Sequence, residues 1–233
     1  MCFDATSSFV AGGAAYGVST YLLRRKHARL KWGAVALMGI TMMQWVEGLL
    51  WLDGPLPHGT VNKILTIALI PVALVAQAWG PLLGSAWAIP ISKRKYTFYG
   101  LMTIGLLFVV ASRVIYHPST TQITPQGFLN WWSPENPPYF AVWAYGAWAL
   151  VIGMPFLIWW KPLWQALLIC SWGWFWATLS FLVTDSAASY WCFFVSFYAI
   201  FVFIYAFMTP DPTPGMAEGE ENHDDNFIKG EDI

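Results

Sequence analysis

Long apolar runs, broken by short polar or basic turns, dominate the chain, and the breaks recur at the spacing of membrane-crossing helices. A hydrocarbon core of ~30 Å needs roughly 20 apolar residues in helical form, because no backbone amide can go unpaired in lipid. That ruler predicts seven spans, at 5–23, 32–52, 64–91, 98–116, 139–160, 163–183 and 191–208. The third is too long for a perpendicular crossing, and Pro71 and Pro81 predict a kinked or tilted path. Spans five to seven are joined tightly, so their neighbours should pair as antiparallel hairpins. The expected fold class is all-α, a polytopic membrane bundle of seven transmembrane helices over 1–208.

Charge then orients the bundle. The turns after spans one, three and five, with the tail, hold ten Lys and Arg residues, among them Arg24, Arg25, Lys26, Arg29 and Lys31. The opposite loops hold only Lys63, with Arg113 inside the end of span four. Basic loops stay in the cytoplasm, so the bias predicts an amino terminus outside and a carboxyl terminus inside. The start MCFDATSSF has no basic region and does not read as a cleaved secretory signal. Segment 209–233 carries eight acidic residues against Lys229 and few apolar ones, so it is expected to be a disordered tail. Such a tail either solvates the chain or serves as a docking arm for a basic partner.

Composition supports the membrane reading and excludes others. Hydrophobic residues make up 57% and charged residues 11%, leaving too little polar surface to coat a soluble domain of this size. Twelve Lys and Arg against thirteen Asp and Glu give no basic footprint for nucleic acid. The sixteen tryptophans include Trp172, Trp174 and Trp176 in span six; alternate positions on a helix do not share a face, so their rings must radiate to several neighbours or into lipid. Gly13-x3-Gly17, Gly80-x3-Gly84 and Gly173-x3-Ala177 have the spacing of close helix approach.

Ionisable groups inside hydrocarbon are the best pointers to function, since each is expensive to insert. Glu47 lies about 7.5 Å inside the outer end of span two at helical rise. Gln44, Glu47, Gly48 and Trp51 form one stripe, expected to face the bundle. Arg113 lies at similar depth in span four, so it is expected to hold Glu47, unless hydroxyl or indole donors do. Topology gathers Cys2, Asp4, Glu47, Trp51, Arg113, His117, Asp185, Trp191 and Cys192 at the outer face as a candidate cluster. Cys170 stands apart and is expected to pack as a small apolar residue. A pairing of Cys2 with Cys192 requires spans one and seven to be adjacent. Three outcomes stay open for the pair: a disulfide, a metal site completed by Glu47 or His117, or free thiols.

Several membrane chemistries fail on inspection. The last span has no lysine for retinal, and His27, His58, His117 and His223 all lie in loops or the tail, so no intramembrane pair exists for zinc or haem. No phosphate-binding glycine loop, HExxH, GxSxG or CxxC occurs. A proton-coupled transporter usually carries several intramembrane carboxylates, and this chain has one.

Three segments, MCFDATSSF at 1–9, QWVEGLLWL at 44–52 and SYWCFFVS at 189–196, together resemble a family of small polytopic membrane proteins. Its members begin with a Met-Cys-Phe-Ser-Ala-Thr-like string, and Asp4 stands here where they usually have Ser. The resemblance implies no reaction, cofactor or partner, but it favours Cys2, Phe3, Glu47, Gly48, Trp51, Trp191 and Cys192 as positions of interest. Two functions compete: a non-enzymatic binding subunit of a larger membrane complex, or a protein with an outer-face redox, metal or small-molecule site acting as enzyme, receptor or transporter. Either way the partners include the lipid bilayer, and the location is a membrane crossed several times.

Overall fold

A computed structural model describes residues 4–53, 59–88, 92–116, 120–123, 127, 129–130, 138–160, 162–184 and 191–209. Of the described residues 88% are helical, and they form an all-α fold of seven helices. They are α1 (Ala5–Leu23), α2 (Ala28–Leu52), α3 (60–88), α4 (Lys93–Tyr116), α5 (Pro138–Trp159), α6 (Leu163–Thr184) and α7 (Trp191–Met208). A short antiparallel ladder, β1 (Gln122–Ile123) with β2 (Leu129–Asn130), lies between α4 and α5, with Gly127 at φ 80° in its turn.

Two stretches, Ala28–Leu52 and Thr60–Ser85, are long and apolar enough to cross a membrane, with mean hydropathies of 1.4 and 1.8. Ala147–Trp159 and Val195–Met208 are shorter apolar stretches. The expected seven spans thus appear as seven helices, of which two pass that length and hydropathy measure among the described residues. Helix ends also run past the apolar windows: α2 begins at Ala28 and takes in Arg29 and Lys31, and α4 begins on Lys93, Arg94 and Lys95. Backbone pairing, not apolarity, sets where a helix stops, so basic residues extend the last turn beyond the hydrophobic window.

The long third helix explains its own irregularity. Residues Thr60–Ile64 and Ile70–Ala88 are α-helical, and Leu65–Leu69 between them form a π-turn. Pro71 has no N–H for the preceding turn, and the wider π-turn takes up the mismatch just before it.

Contacts along the helices alternate in direction. Gly48 of α2 meets Phe9 of α1, while Tyr16 lies by Met42, so α1 and α2 are antiparallel. Gly39 faces Gly80 and Trp32 faces Gly84, so α2 and α3 are antiparallel. The Ser85 and Tyr99 hydroxyls are 2.7 Å apart, Gly105 lies by Val151 while Phe98 meets Trp159 edge to face, and Gly153 lies by Cys170, continuing the alternation through α6. The first and last helices run side by side and parallel: Tyr21 packs on Phe203, and the Arg25 guanidinium donates to the Ala206 and Thr209 carbonyls at 3.2 and 2.9 Å. A cation on the open carbonyls at the end of α7 also complements its dipole.

The core is densest between α2 and α3. A Cβ at Gly39 would run into the Ala76 carbonyl and lie 2.7 Å from Gly80 Cα, so only two glycines allow this crossing. Nearby, Trp32 is 1% exposed, stacks on Phe156 with planes 1° apart and tilts on Trp160 at 5.1 Å. Its indole N–H donates to the Pro81 carbonyl at 2.9 Å.

Among the small-residue motifs, Gly80 and Gly84 are close-approach sites as expected. Gly13 and Gly17 are not: nothing lies within 4 Å of where their Cβ atoms would stand. The face of α1 that packs is the neighbouring stripe of Ser8, Gly12, Ala15, Ser19 and Leu22.

Candidate functional site

The Gln44 stripe of α2 faces the interior. Gln44 is fully buried, Glu47 is 3% exposed, Gly48 is buried and Trp51 is half-buried. Sequence places them there through the i, i+3, i+4, i+7 spacing, and Gly48 lets α1 approach: a Cβ at Gly48 would stand 2.8 Å from the Phe9 ring. Thr41, also fully buried, extends the polar positions one turn further along α2. On α3, Gln77 is 1% exposed and donates to the Ile40 carbonyl at 3.3 Å.

Asp4 has a structural task. Its carboxylate accepts the Ser7 N–H at 2.6 Å and caps α1, while Ser7 and Ser8 hydroxyls donate to its carbonyl. The Ser7 backbone hydrogen bond holds this exposed carboxyl below its usual value of 3.8. Cys2, His117 and Asp185 lie outside the described residues, as do the side chains of Arg113, Trp191 and Cys192 and the acidic segment 210–233. The Glu47–Arg113 pair and the Cys2–Cys192 bridge or metal site fall there too. What the fold supplies is the adjacency of α1 and α7 that the cysteine pairing requires. Among the described residues no group of three or more His, Cys, Asp or Glu side chains is placed to hold a metal.

At the same end of the bundle is a cluster that sequence reasoning missed. Asn62 Nδ2 donates to the Thr121 carbonyl at 2.9 Å, and Thr121 N–H donates back to Asn62 Oδ1 at 2.8 Å. Thr66, in the π-turn, donates to Asn62 Oδ1 at 3.1 Å and shares a 2.7 Å hydroxyl contact with Thr121. All three residues are buried, and Leu129 of β2 is buried too. The network fastens the α4–α5 loop to the start of α3 across 59 positions of sequence. Nothing in the local pattern announces it, since isolated Asn and Thr residues near helix ends are ordinary. Asn62→Ala is expected to leave the buried Thr121 carbonyl without its donor, at about 1–3 kcal/mol, while the Thr121 N–H keeps only Thr66 Oγ1 at 3.0 Å. Limited proteolysis at 120–130 should then run several-fold faster; an unchanged cleavage rate would show that the loop is held by something else.

A second feature lies deeper. An apolar cavity of about 50 Å³ is walled by Ile40, Ile152, Gly153, Phe156, Cys170 and Gly173, among others. The Cys170 thiol leans on the Gly153 carbonyl at 3.7 Å, so this cysteine packs as a small apolar residue with a weak donor. The span-six tryptophans divide as their spacing requires: Trp174 is exposed at the cavity rim, while Trp172 and Trp176 contact Phe197 of α7.

No protein-family model, curated protein or solved structure matches the chain.

Proposed function

We propose that this is an integral membrane protein of seven crossings, amino terminus outside and carboxyl terminus inside. It works by binding, as a non-enzymatic subunit or assembly partner of a larger membrane complex. The observation that carries the membrane part is the outward face of the bundle. On α4 the exposed side chains include Leu101, Ile104, Leu107 and Phe108, at 58–70% exposure. On α6 they include Trp164, Leu167, Leu168 and Phe175, and on α7 Phe197, Ile200, Ile204 and Phe207. These helical stripes would be charged in a water-soluble bundle, and their combined extent goes far beyond the apolar patches of soluble monomers. Hydrocarbon is the solvent that suits them. The basic residues Arg24, Arg25 and Lys26 between α1 and α2 and Lys93, Arg94 and Lys95 at the start of α4 support the orientation.

The partner part rests on α1. Val10, Gly13, Ala14 and Gly17 form an exposed stripe of mostly small residues, suited to close contact with a helix of another membrane subunit. The acidic segment 209–233 adds a docking arm on the inner side. Replacing Gly13 and Gly17 together by Leu is expected to leave folding intact, because a Cβ at either position has nothing within 4 Å, and to remove a stoichiometric partner from the protein purified in mild detergent. A lone protein, unchanged by the substitutions and carrying a bound small molecule, would overturn the subunit reading. It would favour the alternative, an outer-face site built around Glu47. Cleavage of the tail by protease added outside sealed cells would overturn the orientation.

A further inference from the structure

Five buried polar atoms between the first three helices have no hydrogen-bond partner among the described residues. They are both amide atoms of Gln44, Thr41 Oγ1, Ser19 Oγ and Gln77 Oε1. Each of the four residues is no more than 1% exposed. Leaving such atoms dry costs about 1–3 kcal/mol apiece, and together they would consume a stability that is usually only ~5–15 kcal/mol. Native interiors answer this with ordered water, which typically makes about three hydrogen bonds to otherwise unsatisfied groups.

Four of the five atoms belong to one stretch of α2 and to the α3 side chain that reaches it. Thr41 and Gln44 are one turn apart on α2, and Glu47 stands one turn further toward the outer end. The Gln77 amide reaches the Ile40 carbonyl, the acceptor one turn before Gln44, which brings its free oxygen to the same stretch of α2. Gly12 of α1 packs against this part of α2: a Cβ there would stand 3.3 Å from the Trp45 ring and 3.5 Å from Gln44 Cβ, which places Gln44 at the α1–α2 contact. Ser19 lies on the same buried stripe of α1, toward the opposite end.

We propose that Gln44, Thr41, Gln77 and Ser19 line a hydrated seam between α1, α2 and α3, occupied by ordered water that extends the polar environment of Glu47 inward. The occupant is water and not lipid, because the groups left open are donors and acceptors of hydrogen bonds and the stripe faces protein on all described sides. The seam is independent of whether the protein has a subunit partner.

Hydroxyl-radical footprinting of the full chain in lipid nanodiscs tests it, since radicals form where water sits. Met43 is fully buried in the helical turn that carries Thr41 and Gln44, whereas Met102, at 7% exposure, is on α4, which is not one of the three helices of the seam. The expected result is Met43 oxidation several-fold faster than Met102, falling to the Met102 rate in Gln44→Leu. Thr41→Val provides the same reading should Gln44→Leu fail to fold. Met43 oxidising no faster than Met102 in the unaltered chain would overturn the proposal, as would a rate that neither variant lowers.

Discussion

Gly39→Ala is expected to be among the most damaging single-methyl changes in this protein. The added carbon would meet the Ala76 carbonyl and the Gly80 backbone, and neither can swing away as a flexible side chain does. Relief requires α2 and α3 to separate, which loosens the closest crossing in the bundle. Overpacking of this kind costs about 1–3 kcal/mol and sometimes more, and the rigidity of both neighbours places Gly39 at the upper end. Thermal unfolding in mild detergent should show a large drop in midpoint. Gly13→Ala, on the same scale, should change almost nothing. Equal effects of the two substitutions would mean that the α2–α3 crossing is not the close contact described.

Trp32→Ala should be comparably severe for a different reason. It removes a fully packed indole from Phe156, Trp160 and the Gly84 backbone, and deletes the donor to the Pro81 carbonyl. Large-to-small replacement of a buried aromatic costs about 3–5 kcal/mol through lost contacts and the void left behind. Trp32→Phe separates the two contributions: it keeps most of the aromatic contact and loses the hydrogen bond, worth roughly 1 kcal/mol net. A Phe variant as unstable as the Ala variant would show that the hydrogen bond outweighs the packing.

How far sequence reading reached depends on how local each signal was. The seven helices were legible because each is a long apolar run between polar breaks. Their exact ends were not, since Arg29, Lys31 and Lys93 lie outside the apolar window yet still belong to helices. The inward face of α2 followed from the spacing of Gln44, Glu47, Gly48 and Trp51. The choice between two adjacent small-residue stripes on α1 did not. Gly13 and Gly17 have the recognised spacing, but Ser8, Gly12, Ala15 and Ser19 are equally small, and only the shape of α2 decides between them. Asn62, Thr66 and Thr121 were invisible for another reason: their meaning lies in pairing across distant positions. Gln77 did carry a readable signal, an amide in the middle of an apolar run.

The grip of Arg25 on the end of α7 bears on how the chain assembles during synthesis. Helices α1, α2 and α3 follow one another directly and hold the tightest crossing, so they can associate as soon as they emerge from the ribosome. The seat for α7 is built from that early unit, by Tyr21, Arg25 and Gly33, which meets Val202. It stays vacant until the last helix is made. Docking of α7 there is therefore the step that joins the last helix made to the first, and the Arg25 hydrogen bonds cannot form before it.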